Sequence, residues 1–402
     1  MSRILLAWDL GAGFGHLGPF LMIADRLLER GHELHIAARE VASAVSAVGD
    51  LPIAVYQAPV CLNVYGGLQE PPLNYAEILM RYGYLDRAML RGLLKGWQSL
   101  MRITQTDIVV ADHAPTALMA ARLEGIPVSV IGTPFSVLPE THPTPNMRDW
   151  VAVPPARLAD SDRRVLDVVN AVLPEQAPRL SALHQIFSGT GKFFIGTPET
   201  DHYGARADAI YFGLAGRSSG SAVPEWPGGD GKRVLLYLHA DYPHAKETVQ
   251  ALVSLRAKVI VHMRGASSEL LQGFIAAGAV VSEEPLDLDR LLPDADLCVS
   301  HGPGTAIASL QAGVPVLILP KQLENFLFAR SLERMGVGAL VNPDQKPPDI
   351  HGALAAVLSS GKHTAAARAF AERHRGTSVD TIAKQVVARI EALAGLHCKE
   401  KT

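Results

Sequence analysis

The sequence predicts an α/β protein of two tandem Rossmann-like αβα domains facing across a cleft, and three observations carry that expectation. Short apolar runs alternate with helical stretches from the N-terminus onward. The rhythm breaks once, after Gly213, in LAGRSSGSAVPEWPGGDGK, and resumes at Arg233. A glycine-rich strand-to-helix turn stands in each of the two series. Strands separated by helices build parallel sheets covered on both faces, and 402 residues exceed one ordinary domain. The expected division is an N-terminal domain over 1–215, a linker over 216–232, a C-terminal domain over 233–378, and a last helix over 379–402.

In order, Ile4–Trp8 reads as a buried strand, Leu21–Arg30 as a helix stopped by Gly31, and His32–Ala38 as a second strand. Ile53–Tyr56 is extended, Tyr75–Ile103 helical, Asp107–Ala111 a short strand, Ala114–Leu123 a helix closed by Gly125, and Val128–Ile131 the next strand. Helical pieces follow at Asp162–Leu173 and Pro178–Phe187. The second series runs Val234–Leu238, Ala245–Leu255, Lys258–His262, Ser267–Ala277, Ala279–Ser282, Leu297–Ser300, Thr305–Ala312, Val316–Leu319 and Asn325–Met335, with a last helix at Val379–Ala394. Ligands of such sheets bind beyond the carboxyl ends of the strands.

Composition narrows the function. Apolar residues make up 48% and charged residues 19%, as in a well-packed globule, and a net charge of −3 argues against a nucleic-acid partner. No apolar run reaches the roughly 18 residues that span a bilayer, and the N-terminus carries no basic segment with a cleavage site. A reducing cytoplasm is the expected location. Three dispersed cysteines, Cys61, Cys298 and Cys398, suit neither a disulfide framework nor a metal site. His239, Asp241, His244, His262 and His301 have no compact ligand spacing, so no metal is expected. Between Glu77 and Arg102, basic residues alternate with apolar ones. This pattern suits a helix with a solvated basic face or, alternatively, an acceptor wall or peripheral membrane contact.

The first glycine turn reads GFGHLG over residues 13–18, letter for letter a dinucleotide fingerprint. Glu40 or Arg39 would then meet the ribose or a 2′-phosphate. A structural turn is a second reading. The third takes His16 as a general base, because Pro19 begins the helix comfortably and His16 stands at the tip. Asp112, closing another short strand, would fix its tautomer and stabilise the imidazolium; as a helix N-cap it would have a purely local role. His113 beside it reads as a bystander.

The second turn is His301-Gly302-Pro303-Gly304-Thr305. A helix N-terminus after a strand is a phosphate site, Gly304 admits an oxyanion, Thr305 adds a hydroxyl and an N-cap, and His301 can donate to a phosphate oxygen. An ordinary βα turn is the alternative.

G-H-x-x-P, followed about 95 residues later by V-V-A-D, resembles the N-terminal half of the family-1 and MurG-like glycosyltransferases of GT-B fold. His301, Gly302, Gly304, Thr305, Gly313, Val314, Pro315 and Pro320 are similar to the family's donor motif. The resemblance implies an inverting, metal-independent transfer without a cofactor, from a UDP- or dTDP-type sugar to a small-molecule or lipid-linked acceptor. It implies His16 as base, Asp112 as its orienting partner, and Glu324 and Asn325 on the donor sugar's hydroxyls, with Gln322 a second amide; helix capping is the local alternative for that pair. Four departures stand out. Pro303 removes an N–H, and His239-Ala240-Asp241 replaces a small pair, so that a carboxylate would face the pyrophosphate. Glu283-Glu284-Pro285-Leu286 replaces the segment framing the base, and Phe328-Ala329 replaces N-A. A degenerate transferase serving as a partner subunit, an epimerase and a dinucleotide enzyme are the competing functions.

Overall fold

A computed structural model describes residues 1–213, 222–342, 347–376 and 379–400. Part of the expected linker, 216–221, lies outside the described residues. Contacts divide the chain into two compact units, one of Met1–Ile195, Arg206–Tyr211 and Asp380–Thr402, the other of Gly196–Ala205 and Phe212–Val379. Residues 196–205 therefore join the second unit, ahead of the segment expected to divide the domains. The Gly196 N–H donates to the Gly213 carbonyl (3.2 Å), and Glu199 meets His374 (3.3 Å).

The first unit is built on β1 (Arg3–Trp8), β2 (Glu33–Ala38), β3 (Ile53–Gln57), β4 (Ile108–Ala111), β5 (Val128–Gly132), β6 (Gly191–Ile195) and β7 (Ala209–Phe212), in the order β3-β2-β1-β4-β5-β6-β7. β1 pairs in parallel with β2 and β4, and Leu5 stands opposite both His35 and Val109. These strands read as apolar runs because both faces are covered. The strand order reverses between β1 and β4, so the chain leaves the two carboxyl ends in opposite directions and opens a crevice.

The helix Gly18–Glu29 buries Pro19, Phe20, Ile23, Ala24 and Leu27, a stripe at helical spacing. The long helix expected over 75–103 is two helices, Tyr75–Met80 and Arg87–Ile103. The break has local causes: Gly83 adopts φ +91°, and the Asp86 carboxylate accepts from the N–H groups of Ala88 and Met89, starting a new helix. The second helix buries Leu90, Leu93, Leu94, Trp97 and Met101 while Arg87, Arg91, Lys95 and Arg102 are exposed, which is the solvated basic face. The helical piece expected at 178–187 shrinks to one turn, Leu183–Phe187. No helix among the described residues is long and apolar enough to cross a membrane.

The helix Val379–Glu400 packs in the first unit through Ile382, Ala383, Val386, Val387, Ile390 and Ala394. Arg30 grips Glu391 through two hydrogen bonds of 2.6 and 2.8 Å, and Arg26 pairs with Asp380.

The second unit repeats the plan with β8 (Arg233–His239), β9 (Lys258–Arg264), β10 (Val280–Ser282), β11 (Leu297–Ser300), β12 (Val316–Ile318) and β13 (Gly338–Leu340), in the order β10-β9-β8-β11-β12-β13. All these pairs are parallel, and the reversal lies between β8 and β11. Each unit thus has one switch point, flanked by the strand ends from which the notable sequence turns depart.

Gly338 runs so close to β12 that a methyl group on it would collide with the Val316 carbonyl. Gly338→Ala is expected to force the edge ladder apart and cost about 1–3 kcal/mol, read as a lower midpoint in urea denaturation.

Candidate active site

His16 and Asp112 meet at the first switch point. His16 ends a single helical turn, Phe14–His16, that follows β1, and Asp112 directly follows β4. The His16 Nδ1 lies 3.2 Å from Asp112 Oδ2, with side chains only 13% and 4% exposed. Burial pushes the Asp112 carboxyl up, and the neighbouring His16 pulls against that rise. The Trp8 ring stacks on the imidazole at 4.9 Å and 24°.

Backbone features create the space for this pair. Gly11, at φ +83°, lies under the imidazole, where a methyl group would collide with His16 Nε2. Gly132, at φ +127° on the end of β5, lies under the Asp112 carboxylate in the same way. His113 takes φ +46°, and its carbonyl accepts from the Leu10 N–H (3.0 Å), which ties the end of β4 to the turn after β1. Asp112 is not a helix cap: the following helix starts at Pro115 with Ala114 at the N-cap and no side-chain cap bond. His113, expected as a bystander, packs against the pair. Its ring is buried beside His16 at 5.9 Å, and burial, with the charges of His16 and Arg39, holds it well below its ordinary value and therefore neutral.

The arrangement leaves little to the dinucleotide reading. Glu40 accepts from the Gly13 N–H and from the Ser43 hydroxyl, both at 3.3 Å. Arg39 donates to the Asp9 carbonyl and lies 5.5 Å over the Tyr82 ring. The His16 imidazole covers Gly11, so the backbone approach a pyrophosphate would need there is taken.

At the second switch point His301 performs a local task. Its Nδ1 donates to the Leu319 carbonyl (2.7 Å) and its Nε2 accepts from the His239 N–H (3.1 Å), so it ties together the ends of β8, β11 and β12. The expected donation to phosphate is therefore not the role it holds here, because both ring nitrogens are engaged. The helix starts at Pro303, with Gly302 at the N-cap and Thr305 inside the first turn, so Thr305 is not the cap. Proline at the first helical position removes an N–H that the helix itself would not use. Gly302, Gly304 and Thr305 keep N–H groups that have no acceptor within the helix.

The neighbouring helix, Leu323–Arg334, begins two residues earlier than expected. Gln322 holds the N-cap place without a side-chain cap bond, and Glu324 and Asn325 lie in the first turn rather than capping it. The Asn325 amide stands next to Gly302, 3.4 Å from where a β-carbon there would sit. Asp241 does not face this site as a bare charge. It pairs with Lys321 and with His239 Nδ1 (2.8 Å), and these partners overcome the opposing effect of burial to hold its carboxyl below the usual range. Sequence reasoning passed over Lys321, although it directly follows the motif's Pro320, and also Trp8 and Gly132. Among the described residues no group of three or more His, Cys, Asp or Glu is placed to hold a metal ion.

The chain is similar to known proteins along most of its length. Residues 246–393 match the family described as Erythromycin biosynthesis protein CIII-like, C-terminal domain. The chain is 24% identical over 378 residues to an L-demethylnoviosyl transferase of Streptomyces niveus, covering 90% of this chain and 92% of that one. Among solved structures it resembles the glycosyltransferase VinC in complex with dTDP, with TM-score 0.66, 19% identity, and coverage of 98% and 99% of the two chains. It also resembles the spinosyn rhamnosyltransferase SpnG complexed with thymidine diphosphate, with TM-score 0.64, 17% identity, and coverage of 96% and 99%. The fold is GT-B.

Two outcomes are expected from the first unit. Gly132→Ala should displace the Asp112 carboxylate and lower any turnover that depends on His16 by at least about tenfold, with folding tested separately by circular dichroism. Asp9, wholly buried at the end of β1 and bonded to Trp97 Nε1 (3.2 Å), has its carboxyl raised by burial to about 7, against hydrogen bonds from Thr116, Trp97 and Ala117. From about pH 4, where the unfolded group ionises, up to pH 7, the folded protein keeps a proton that the unfolded chain has lost. Stability therefore falls as pH rises through that window, by up to about 1.4 kcal/mol per unit, and levels off above it. Asp9→Asn should lack this slope in urea titrations run from pH 4.5 to 8.

Proposed function

We propose that this chain, a glycosyltransferase of GT-B fold with an EryCIII-like C-terminal domain, transfers a sugar from a dTDP- or UDP-type donor to a hydroxyl of a small-molecule acceptor, with inversion and without a metal. The observation that carries the mechanism is the His16–Asp112 pair at the first switch point. With Nδ1–H directed at Asp112, the proton-accepting nitrogen is Nε2. His16 takes the proton of the acceptor hydroxyl as its oxygen attacks the anomeric carbon. The bond from that carbon to the phosphate oxygen breaks in the same displacement, and the configuration inverts. The imidazolium is stabilised by the buried carboxylate, as general-base catalysis requires.

On the donor side, the N–H groups of Gly302, Gly304 and Thr305 would receive the departing diphosphate, aided by the positive end of the helix dipole. Glu324 can accept hydrogen bonds from sugar hydroxyls, and the Asn325 amide can both donate and accept. The nucleotide preference rests on the thymidine diphosphate in the VinC and SpnG structures. The transferase reading is supported by the L-demethylnoviosyl transferase relative.

His16→Ala should bind dTDP or UDP as the wild type does while losing about 10²- to 10⁴-fold in turnover. Thermal-shift measurements with UDP, dTDP, NAD and NADP provide the companion test. A shift with a nucleoside diphosphate is expected, about 2.7 kcal/mol at a hundredfold excess over Kd; a shift with NAD or NADP alone would overturn the assignment.

A further inference from the structure

The donor turn of this chain poses an electrostatic problem. A nucleoside diphosphate brings about two to three negative charges, yet the loop after β8 carries Asp241, and His301 has both ring nitrogens committed to protein groups. Backbone N–H groups supply only partial charge. Lys321 is a formal cation that meets this loop, through Asp241.

Its position follows from the fold. Lys321 comes three residues after β12 and two before the helix Leu323–Arg334, on the same stretch that sets Asn325 beside Gly302. Its ammonium pairs with Asp241 Oδ1, the same oxygen that meets His239 Nδ1. The contact is open to solvent, with side chains 30% and 57% exposed. An exposed pair of this kind contributes little to stability, so its exchange for a stronger partner is easy. A diphosphate is such a partner, because it carries about two to three negative charges where the carboxylate carries one.

We propose that Lys321 is the diphosphate-binding cation of this chain, held on Asp241 until the nucleoside diphosphate arrives and then shared with or transferred to it. Asp241 is thus a positioning residue for Lys321 and a brake on donor binding. The departure at His239-Ala240-Asp241 is compensated within the chain: the acid brought by that loop is matched by a lysine on the neighbouring one. No bond is made or broken in this step. The inference rests on the donor-site assignment above and deepens it.

The test is calorimetric titration of wild type, Lys321→Met and Asp241→Asn with dTDP and UDP, and with thymidine and uridine as probes lacking phosphate. Each is measured at 50 and 300 mM salt. Lys321→Met should weaken diphosphate binding about ten- to a hundredfold, leave nucleoside binding unchanged and flatten the salt dependence. Lys321→Arg should restore most of the affinity. Asp241→Asn should tighten diphosphate binding two- to fivefold. Equal affinity of wild type and Lys321→Met for the diphosphate overturns this inference alone, as does an equal loss for diphosphate and nucleoside. Weaker binding by Asp241→Asn overturns the braking role. A wild type that binds neither diphosphate overturns the donor-site assignment and this inference with it.

Discussion

A carboxylate buried as deeply as Asp112 needs a partner, and the first unit is arranged to make His16 that partner. Leaving one member of such a pair buried alone is costly, so the structure is constrained to hold both. The means include backbone positions that make room for the pair. Gly11 makes room for the imidazole, Gly132 makes room for the carboxylate, and the left-handed turn at His113 brings β4 into reach of the loop after β1. Trp8 then covers the imidazole. The acid–base pair is a product of sheet topology: β1 and β4 are neighbours only because the strand order reverses between them.

The second unit applies the same topology to a different task. Its switch point is closed by a histidine that joins three strand ends, and its helix N-terminus is left with N–H groups at Gly302, Gly304 and Thr305. One unit holds a buried histidine–aspartate pair, proposed as base and orienting acid, the other backbone donors and a neutralised acid. This division matches a reaction in which one substrate loses a proton and the other loses a diphosphate. The same architecture can serve both tasks because the sheets supply positions while the turn residues supply the chemistry.

Much of the fold was legible along the chain. Alternating apolar and helical segments announced the parallel sheets, since strands covered on both faces must be apolar throughout. His16 could be singled out at the tip of the glycine turn that follows one buried run, and Asp112 at the end of another. Legibility failed where a local signal had two outcomes. An aspartate before a helix reads equally as a cap or as a partner, and Asp112 proved to be no cap. The helical pattern over 75–103 hid its break because Gly83 and Asp86 are weak punctuation beside so strong an apolar stripe. Asp241 looked like an unbalanced charge because its partner, Lys321, is 80 residues away in sequence.

The class of fold, the two glycine turns, and the residue types capable of acid–base and phosphate chemistry can be read along the chain, because apolar periodicity and turn composition are local properties. Which of those residues meet is set by the folded arrangement. The 3.2 Å contact of His16 with Asp112, the engagement of both His301 nitrogens and the pairing of Lys321 with Asp241 all depend on strand order and on close backbone approach. These are properties of elements distant in sequence, and no local pattern encodes them.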